Sequence, residues 1–207
     1  MLCFENAEYI KRIKDIQLHN GRGLQPDYAE NGELNVINSR HILERELDYK
    51  NFEKTNIDSW DTQVKARIYR NDILTYTTGA NIGRTQVYLS DEKALASNHV
   101  NILRIENENP VYVAFVLNSK IGRLQTEQLS AGSAQQELYP KDIDNFYIPL
   151  INKDTQTQIA DLVQQSFALK AKSERLLETA KRAVEIAIET DEQTAMAYIN
   201  DQIGVQT

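Results

Sequence analysis

The sequence predicts an α+β protein in which a β-rich domain of short strands, residues 1–150, precedes a long helical arm, residues 151–207. In the first region, short runs of β-branched and aromatic residues alternate with turn signals. In the second region, neither glycine nor proline occurs from Thr155 to Thr190, and strong helix formers dominate. The pattern changes at Tyr147–Leu150, so we place the boundary between the two regions there.

Strands are predicted where β-branched and aromatic residues cluster between turn signals. Four such runs are Asn35–Asn38, Ile73–Tyr76, Thr85–Leu89 and Val100–Leu103. An earlier run, Tyr9–Ile16, fits either a strand or a single helical turn. The first region is therefore expected to contain several short strands.

Glycine and proline residues mark the turns and helix ends between these runs. Asn20–Gly23 and Asn31–Glu33 predict turns, the second of hairpin type. The periodicity of Val111–Asn118 fits either a helix or a strand. We favour a helix, because Pro110 suits a first helical position and Ser119–Gly122 supplies a stop.

The C-terminal region predicts a helix of about 54 Å at ~1.5 Å per residue. Thr155–Gln158 has the pattern of a capping box at its start. One stripe alternates steps of three and four residues, which is typical of a coiled-coil seam. This seam contains Ile159, Leu162, Leu169, Leu176, Ala180 and Ala183.

A second stripe of Val163, Phe167, Leu177, Val184 and Ile188 is wide enough to pack on the chain's own domain. One small domain is too short to cover the whole helix, so we expect a partner helix; a solvated helix packed at one end is the alternative. Residues Ala195–Ile203 predict a weaker helix.

Composition indicates a globular cytoplasmic protein. Apolar residues make up 41% and charged residues 26%, and no apolar run reaches the ~18 residues of a membrane span. Cys3 has no disulfide partner. The net charge of −7 is unfavourable for nucleic-acid binding, although Lys11, Arg12 and Lys14 lie close together.

Several motifs occur in a defined order. They are Lys14-Asp15-Ile16 before Gly21 and Pro26, Asp72-Ile73-Leu74 leading into Gly79-x-x-x-Gly83-Arg84, then Gly132–Gln135, Asp142-Ile143, Ile148–Leu150, Gln156 and Gln158-Ile159. Their order and spacing over about residues 9–190 resemble the specificity subunit of type I restriction–modification systems. The resemblance implies a DNA target-recognition domain over residues 1–150, followed by a coiled-coil arm for dimerisation and for docking methyltransferase subunits.

Full-length members of that family carry two recognition domains and two helices, whereas this chain carries one of each. The opening residues match the start of a half, so we expect a complete half-subunit. Two copies with antiparallel helices would then form a homodimer that reads a symmetric, bipartite double-stranded DNA target.

The resemblance also implies a division of labour. The specificity subunit reads DNA, while type I methyltransferase (modification) subunits carry the S-adenosylmethionine site and methylate an extruded adenine at N6. A motor/nuclease restriction subunit is an optional further partner. This chain itself is expected to catalyse nothing and to need no cofactor or metal.

Candidate DNA-contacting residues follow from side chains suited to base edges and phosphates. They are Arg22, Asn38, Arg40, Thr77, Thr78, Asn81, Arg84, His99, Ser133 and Gln135. Each has a structural alternative. Arg84 could pair with a surface carboxylate, Asn38 or Ser39 could cap a helix starting at Ile42–Glu44, and His99 could form a structural hydrogen bond.

Two other classes of function remain open from the sequence. One is an interaction module, or decoy, that binds methyltransferase subunits through its helix without reading DNA. The other is a stand-alone DNA-modifying enzyme, for which Asn109-Pro110-Val111-Tyr112 is one weak signal. This run lacks the second proline of the amino-methyltransferase motif, and no glycine-rich cofactor turn follows a strand.

Overall fold

The computed structural model describes residues 7–130 and 136–204, with the backbone alone at Ile203. The chain forms two compact units, Met1–Gln158 and Ile159–Thr207. The predicted α+β class is confirmed, since short strands dominate the first unit and a long helix follows. The division between units lies after the first turn of that helix, later than the predicted boundary at residue 150.

Ten strands occur within the described residues. They are β1 (Tyr9–Arg12), β2 (Gln17–Arg22), β3 (Leu34–Ile37), β4 (Glu53–Thr55), β5 (Arg67–Ile68), β6 (Ile73–Tyr76), β7 (Thr85–Val87), β8 (Ala94–Ala96), β9 (Val100–Ile105) and β10 (Tyr147–Leu150). The same part of the chain contains six α-helices. They are α1 (Ser59–Thr62), α2 (Pro110–Asn118), α3 (Lys120–Leu129), α4 (Pro140–Ile143), α5 (Lys153–Glu189) and α6 (Glu192–Ile203).

The strands form two four-stranded sheets and a two-stranded ribbon. The first sheet has the order β2-β9-β6-β7 and is antiparallel. The second has the order β4-β3-β8-β5, with β3 and β8 parallel. One buried apolar cluster contains Leu74 and Ile102 of the first sheet and Ile37 and Ala94 of the second. Burial of β-branched and leucine side chains from both sheets therefore builds a common core.

The predicted turn at Asn20–Gly23 is wrong, because Asn20, Gly21 and Arg22 belong to β2. They pair with Leu103, Ile102 and Asn101 of β9. The Asn20 amide donates 2.8 Å hydrogen bonds to Asp144 and to the Pro140 carbonyl. Long-range pairing and a satisfied side chain outweigh the local turn tendency of an Asn-Gly pair.

The helix predicted at Val111–Asn118 is present as α2, with Pro110 at its first turn. Ser119 ends α2 and also caps α3, since its hydroxyl accepts a 3.2 Å hydrogen bond from the Ile121 amide. Gly122 is not part of a stop but lies inside α3. A Cβ there would be 2.0 Å from the Leu117 carbonyl oxygen, so this position allows the two helices to approach closely.

The ribbon pairs β1 with β10. On β10, the Tyr147 backbone exchanges two hydrogen bonds with the Gln125 side chain, at 2.6 and 3.1 Å. The Tyr112 hydroxyl donates a 2.6 Å hydrogen bond to the Pro149 carbonyl. Side chains of α2 and α3 thereby pack these helices against β10, because they form hydrogen bonds with its backbone groups.

Helix α5 begins at Lys153, two residues before the predicted capping box. The cap is Asn152, whose Oδ1 accepts a 2.8 Å hydrogen bond from the Thr155 amide. Gln156 is buried, and its amide donates a 3.0 Å hydrogen bond to the buried Glu108 carboxylate. Lys11 lies 3.4 Å from the same carboxylate, so a buried charge is compensated at the root of the helix.

The second unit contains most of α5 together with α6. Asp191 caps α6, accepting a 2.7 Å hydrogen bond from the Thr194 amide. Thr179 and Ala183 of α5 and Ala195 of α6 are buried. Ala183, placed in the predicted seam, is thus already covered in a single chain, because a small side chain permits close packing.

The second predicted stripe does not pack as expected. Val163 is buried, but Leu177, Val184 and Ile188 are exposed, as are Leu162, Leu169, Leu176 and Ala180 of the seam. Together these exposed positions form one apolar strip along α5, since they all lie within about 120° of the helix circumference. No helix in the described part of the chain is long and apolar enough to cross a membrane.

Candidate functional site

The turn from Gly79 to Arg84 joins the adjacent strands β6 and β7. Gly79 and Gly83 have φ values of +103° and +83°, a region that suits glycine. The Gly83 amide donates to the Tyr76 carbonyl at 2.9 Å, and the Tyr76 amide donates to the Arg84 carbonyl at 2.8 Å. This backbone pairing holds Arg84 at the start of β7.

A cavity of about 360 Å³ lies between this turn and α3. It is lined by charged side chains, Glu44, Arg84, Arg123 and Glu127, and by polar ones that include Asn81 and Gln136. Arg123 lies 3.6 Å from Glu44. Within the described residues, the guanidinium of Arg84 has neither an ion pair nor a hydrogen bond, so its charge is available to a ligand.

A second polar group is centred on the Glu137 carboxylate. Its Oε1 accepts a 3.5 Å hydrogen bond from the Thr78 hydroxyl and lies 3.7 Å from Nη1 of Arg22. Its Oε2 accepts a hydrogen bond from the Tyr139 hydroxyl. His99 Nδ1 lies 3.2 Å from the Thr78 hydroxyl. We call these five residues the Glu137 cluster.

Backbone hydrogen bonds connect the Glu137 cluster to the turn. The Leu138 amide donates to the Thr77 carbonyl at 2.9 Å, and the Gly79 amide donates to the Gln136 carbonyl at 3.1 Å. The Thr77 hydroxyl donates a 2.9 Å hydrogen bond to the His99 carbonyl. Residues 136–138 therefore run beside the first residues of the turn.

The electrostatics of the cluster favour an ionised Glu137. The hydrogen bond from Tyr139 and the charge of Arg22 hold the Glu137 pKa below its ordinary value. The same hydrogen bond raises the pKa of Tyr139, because it favours the protonated phenol. The guanidinium of Arg22 also lies 4.7 Å from the centre of the Tyr139 ring.

Comparison with known proteins decides the family. The Type I restriction modification DNA specificity domain family matches residues 7–181. This chain belongs to that family. None of the functionally curated proteins compared with this specificity domain gives a significant match.

Solved structures share the fold of this specificity domain. The S subunit of a type I restriction–modification system from M. genitalium has 19% identity and a TM-score of 0.54, covering 91% of this chain and 45% of that one. The HsdS subunit from Thermoanaerobacter tengcongensis has 15% identity and a TM-score of 0.53, covering 94% and 44%.

A third match comes from a structure that describes complex assembly and conformational transition of the type I R-M system. It has 15% identity and a TM-score of 0.55, and covers 94% of this chain and 45% of that one. The specificity domain described here thus spans less than half the length of each of these three chains.

Six of the candidate residues lie in two adjoining places. Asn81 and Arg84 line the cavity, while Arg22, Thr77, Thr78 and His99 belong to the Glu137 cluster or bond to it. Ser133 and Gln135 lie outside the described residues. The sequence prediction therefore selected residues that lie close together, but Thr77 and Thr78 are buried there, and nothing in the sequence indicated that Arg22 is paired.

Asn38 and Arg40 lie elsewhere, at the end of β3 in the second sheet. Asn38 Oδ1 accepts a 3.1 Å hydrogen bond from the Arg40 amide and caps a single turn of 3-10 helix, Ser39–His41. The helix start predicted at Ile42–Glu44 is wrong, since this turn ends before it. Arg40 forms an ion pair with Glu53.

Sequence reasoning missed Arg123, Glu127, Glu137 and Tyr139. Arg123 and Glu127 lie one helical turn apart on α3 and face the cavity, but only the packing of α3 against the turn shows this. Glu137 and Tyr139 follow the Gly132–Gln135 motif, which was the one available signal. His19, His41 and His99 form no metal-binding group, and no such group of side chains occurs within the described residues.

Proposed function

We propose that this chain recognises a double-stranded DNA sequence as the specificity subunit of a type I restriction–modification system. It directs adenine-N6 methylation, and restriction where a motor/nuclease subunit is present, by partner subunits that hold the catalytic machinery. The observation that carries this proposal is an Arg84 guanidinium without a partner in the described residues, in a turn of a DNA specificity domain.

Arg84 suits DNA because a guanidinium binds a phosphate, or the O6 and N7 atoms of guanine, through two parallel hydrogen bonds. Asn81, three residues earlier and lining the same cavity, offers an amide that can both donate and accept. The net charge of −7 makes it unfavourable for this chain alone to supply the phosphate contacts that dominate affinity. A methyltransferase subunit supplies the remainder.

The exposed apolar strip of α5 supports pairing with a second copy of this chain. Leu162 and Leu169 are 66% and 67% exposed, which is costly for leucines that no partner covers. A homodimer would bury the strip and would present two recognition domains related by a two-fold axis. The same helix docks the methyltransferase subunit.

The first experiment is modified-base sequencing of DNA from the source organism, with and without this gene. A symmetric bipartite motif that carries N6-methyladenine and loses it on deletion is the expected result. Loss of methylation at an asymmetric motif would support DNA recognition by this chain. It would also mean that the chain pairs with a different subunit and not with a second copy of itself. Unchanged methylation would contradict the proposal.

The Arg84→Ala variant tests the proposed contact directly. In complex with its methyltransferase subunit, the variant should bind a duplex containing the motif more weakly by about 1–3 kcal/mol if Arg84 reads a base. If Arg84 binds a phosphate, target and non-target affinity should fall alike, and the salt slope should decrease by ~0.9. Arg182→Ala on α5 is the matched control, because it removes the same charge from the arm.

A module that occupies methyltransferase subunits without reading DNA is the second candidate. Two observations favour it, the acidic net charge and the exposed strip of α5. A specific DNA footprint from the complex separates the two functions. Protection of one defined sequence supports the specificity subunit, whereas a complex that forms without any footprint supports the module.

A further inference from the structure

Two arginines in the same region of the first unit have opposite surroundings. Arg84 lines the cavity without a partner among the described residues. Arg22 lies 3.7 Å from the Glu137 carboxylate, and its Nη2 donates a 3.2 Å hydrogen bond to the Leu138 carbonyl. The two places adjoin, because Gln136 lines the cavity and Glu137 follows it in the chain.

We propose that Glu137 limits sequence-independent DNA binding by acting through Arg22. Its carboxylate neutralises the Arg22 guanidinium and so keeps binding to generic phosphate weak, while Arg84 remains free for the target. Glu137 does not itself touch DNA in this proposal and is a positioning residue. The inference rests on the proposed function and adds the residue that limits non-specific binding.

The geometry makes Glu137 the residue that neutralises the positive charge of Arg22. The side chains of Arg22 and Glu137 are 22% and 29% exposed, so the pair lies at the surface where a phosphate could reach it. The Tyr139 ring and the Leu138 carbonyl hold Arg22 from its other sides. Loss of the carboxylate charge would therefore leave the guanidinium in place but unneutralised.

A generic duplex attracts any accessible cation, since each neutralised phosphate releases condensed counterions. An arginine that gains about one phosphate contact steepens the dependence of log K on log salt by ~0.9. Such a contact carries no sequence information, so it raises non-target affinity as much as target affinity. A paired Arg22 therefore keeps sequence-independent binding weak, although it also gives up affinity for the target.

The test uses Glu137→Gln in the full chain bound to its methyltransferase subunit, because glutamine keeps the size and an acceptor oxygen but removes the charge. Binding to a fluorescent 30-base-pair duplex without the motif is measured between 50 and 200 mM KCl. We expect tighter non-target binding, with a salt slope steeper by ~0.9, so that the advantage over the parent shrinks by roughly threefold across this range. Affinity for a duplex that carries the motif should rise by the same factor, so the ratio of target to non-target affinity should stay unchanged.

Two controls isolate the Arg22 charge. Glu185→Gln makes the same charge change beside Arg182 on α5, where the ion pair is 2.7 Å long, and should leave the slope unchanged. The double variant Arg22→Gln/Glu137→Gln should return the slope to that of the parent. An equal increase in Glu185→Gln, or an increase that persists in the double variant, would overturn the inference.

Arg22→Gln alone covers the case in which Glu137→Gln fails to fold. Because Arg22 makes no phosphate contact in the parent under this proposal, the variant should leave the salt slope of non-target binding unchanged; a slope shallower by ~0.9 would overturn the inference. If the parent complex shows no preference for the motif duplex, the proposed function itself fails. If it shows the preference but Glu137→Gln leaves the slope unchanged, only the role of Glu137 is refuted.

Discussion

At the scale of single residues, Gly83 has the most demanding position in the candidate site. Its φ of +83° suits glycine, and a Cβ would lie 2.7 Å from the Thr126 hydroxyl on α3. Gly79 has a comparable φ of +103°, but the nearest atom to its Cβ would be the Tyr76 hydroxyl, at 3.9 Å. Comparing alanine substitutions at the two glycines therefore separates the cost of backbone strain from the cost of side-chain crowding.

Gly79→Ala should destabilise the fold by about 1–2 kcal/mol through backbone strain alone. Gly83→Ala should cost a further ~1–3 kcal/mol, because the new methyl group displaces Thr126 and α3. Urea unfolding of both variants measures the difference. Equal losses would mean that α3 moves away freely and does not fix the turn.

At the scale of elements, the start of α5 depends on one exposed side chain. Asn152 satisfies the Thr155 amide, one of the first amides that lack a partner within the helix. The predicted capping box would instead place this role on Thr155. The two assignments predict different losses of stability.

Asn152→Ala should lower the free energy of unfolding by about 1 kcal/mol, since it removes the N-cap acceptor. Thr155→Ala, its matched control, should change stability by less than ~0.5 kcal/mol, because no hydrogen bond of its hydroxyl occurs within the described residues. Chemical denaturation followed by far-ultraviolet circular dichroism provides both values. A larger loss of stability for Thr155→Ala than for Asn152→Ala would mean that Thr155 caps the helix, as the capping box predicted.

Elements with strong local signals were predictable from the sequence. Pro110 fixed the start of α2, and the β-branched run at Val100 identified β9. The turn signal at Asn20–Gly23 failed, because β2 is determined by pairing with β9 from a distant part of the chain. A single sequence contains the local preference of Asn-Gly but not the partner strand that overrides it.

The candidate site shows the same limit. The Gly79–Arg84 turn was recognisable because its glycines are a local requirement. The pairing of Arg22 with Glu137 was not, since these two residues are brought together only by the folded sheet. Sequence patterns therefore identified side chains with suitable chemistry, whereas the packing determines which of them are free.

At the scale of the whole molecule, the proposed homodimer depends on the exposed strip of α5. Its side chains are exposed in a single chain, while Ala183 is already buried. The surface available to a second copy is therefore Leu162, Leu169, Leu176, Leu177, Ala180, Val184 and Ile188. The steps between positions 176, 180 and 184 are both four residues, which locally departs from a strict heptad. A straighter helical pair is therefore expected at that end.

The double variant Leu169→Glu/Leu176→Glu should remain monomeric at concentrations where the parent dimerises, since four carboxylates would face one another in the paired strip. Sedimentation equilibrium gives the solution mass. Ala168→Glu/Ala171→Glu is the matched control, with the same charge change at exposed positions outside the strip. An unchanged mass for the leucine variant would refute the seam.

The side-chain contacts of β10 have a further consequence. A two-stranded ribbon leaves unpaired backbone groups along its outer side, and such a border can recruit strands from other chains and seed aggregates. Here Gln125 occupies both backbone groups of Tyr147, Pro149 has no amide hydrogen, and Tyr112 occupies its carbonyl. The outer side of β10 therefore offers no template for an additional strand, so polymerisation through this side of the ribbon is suppressed.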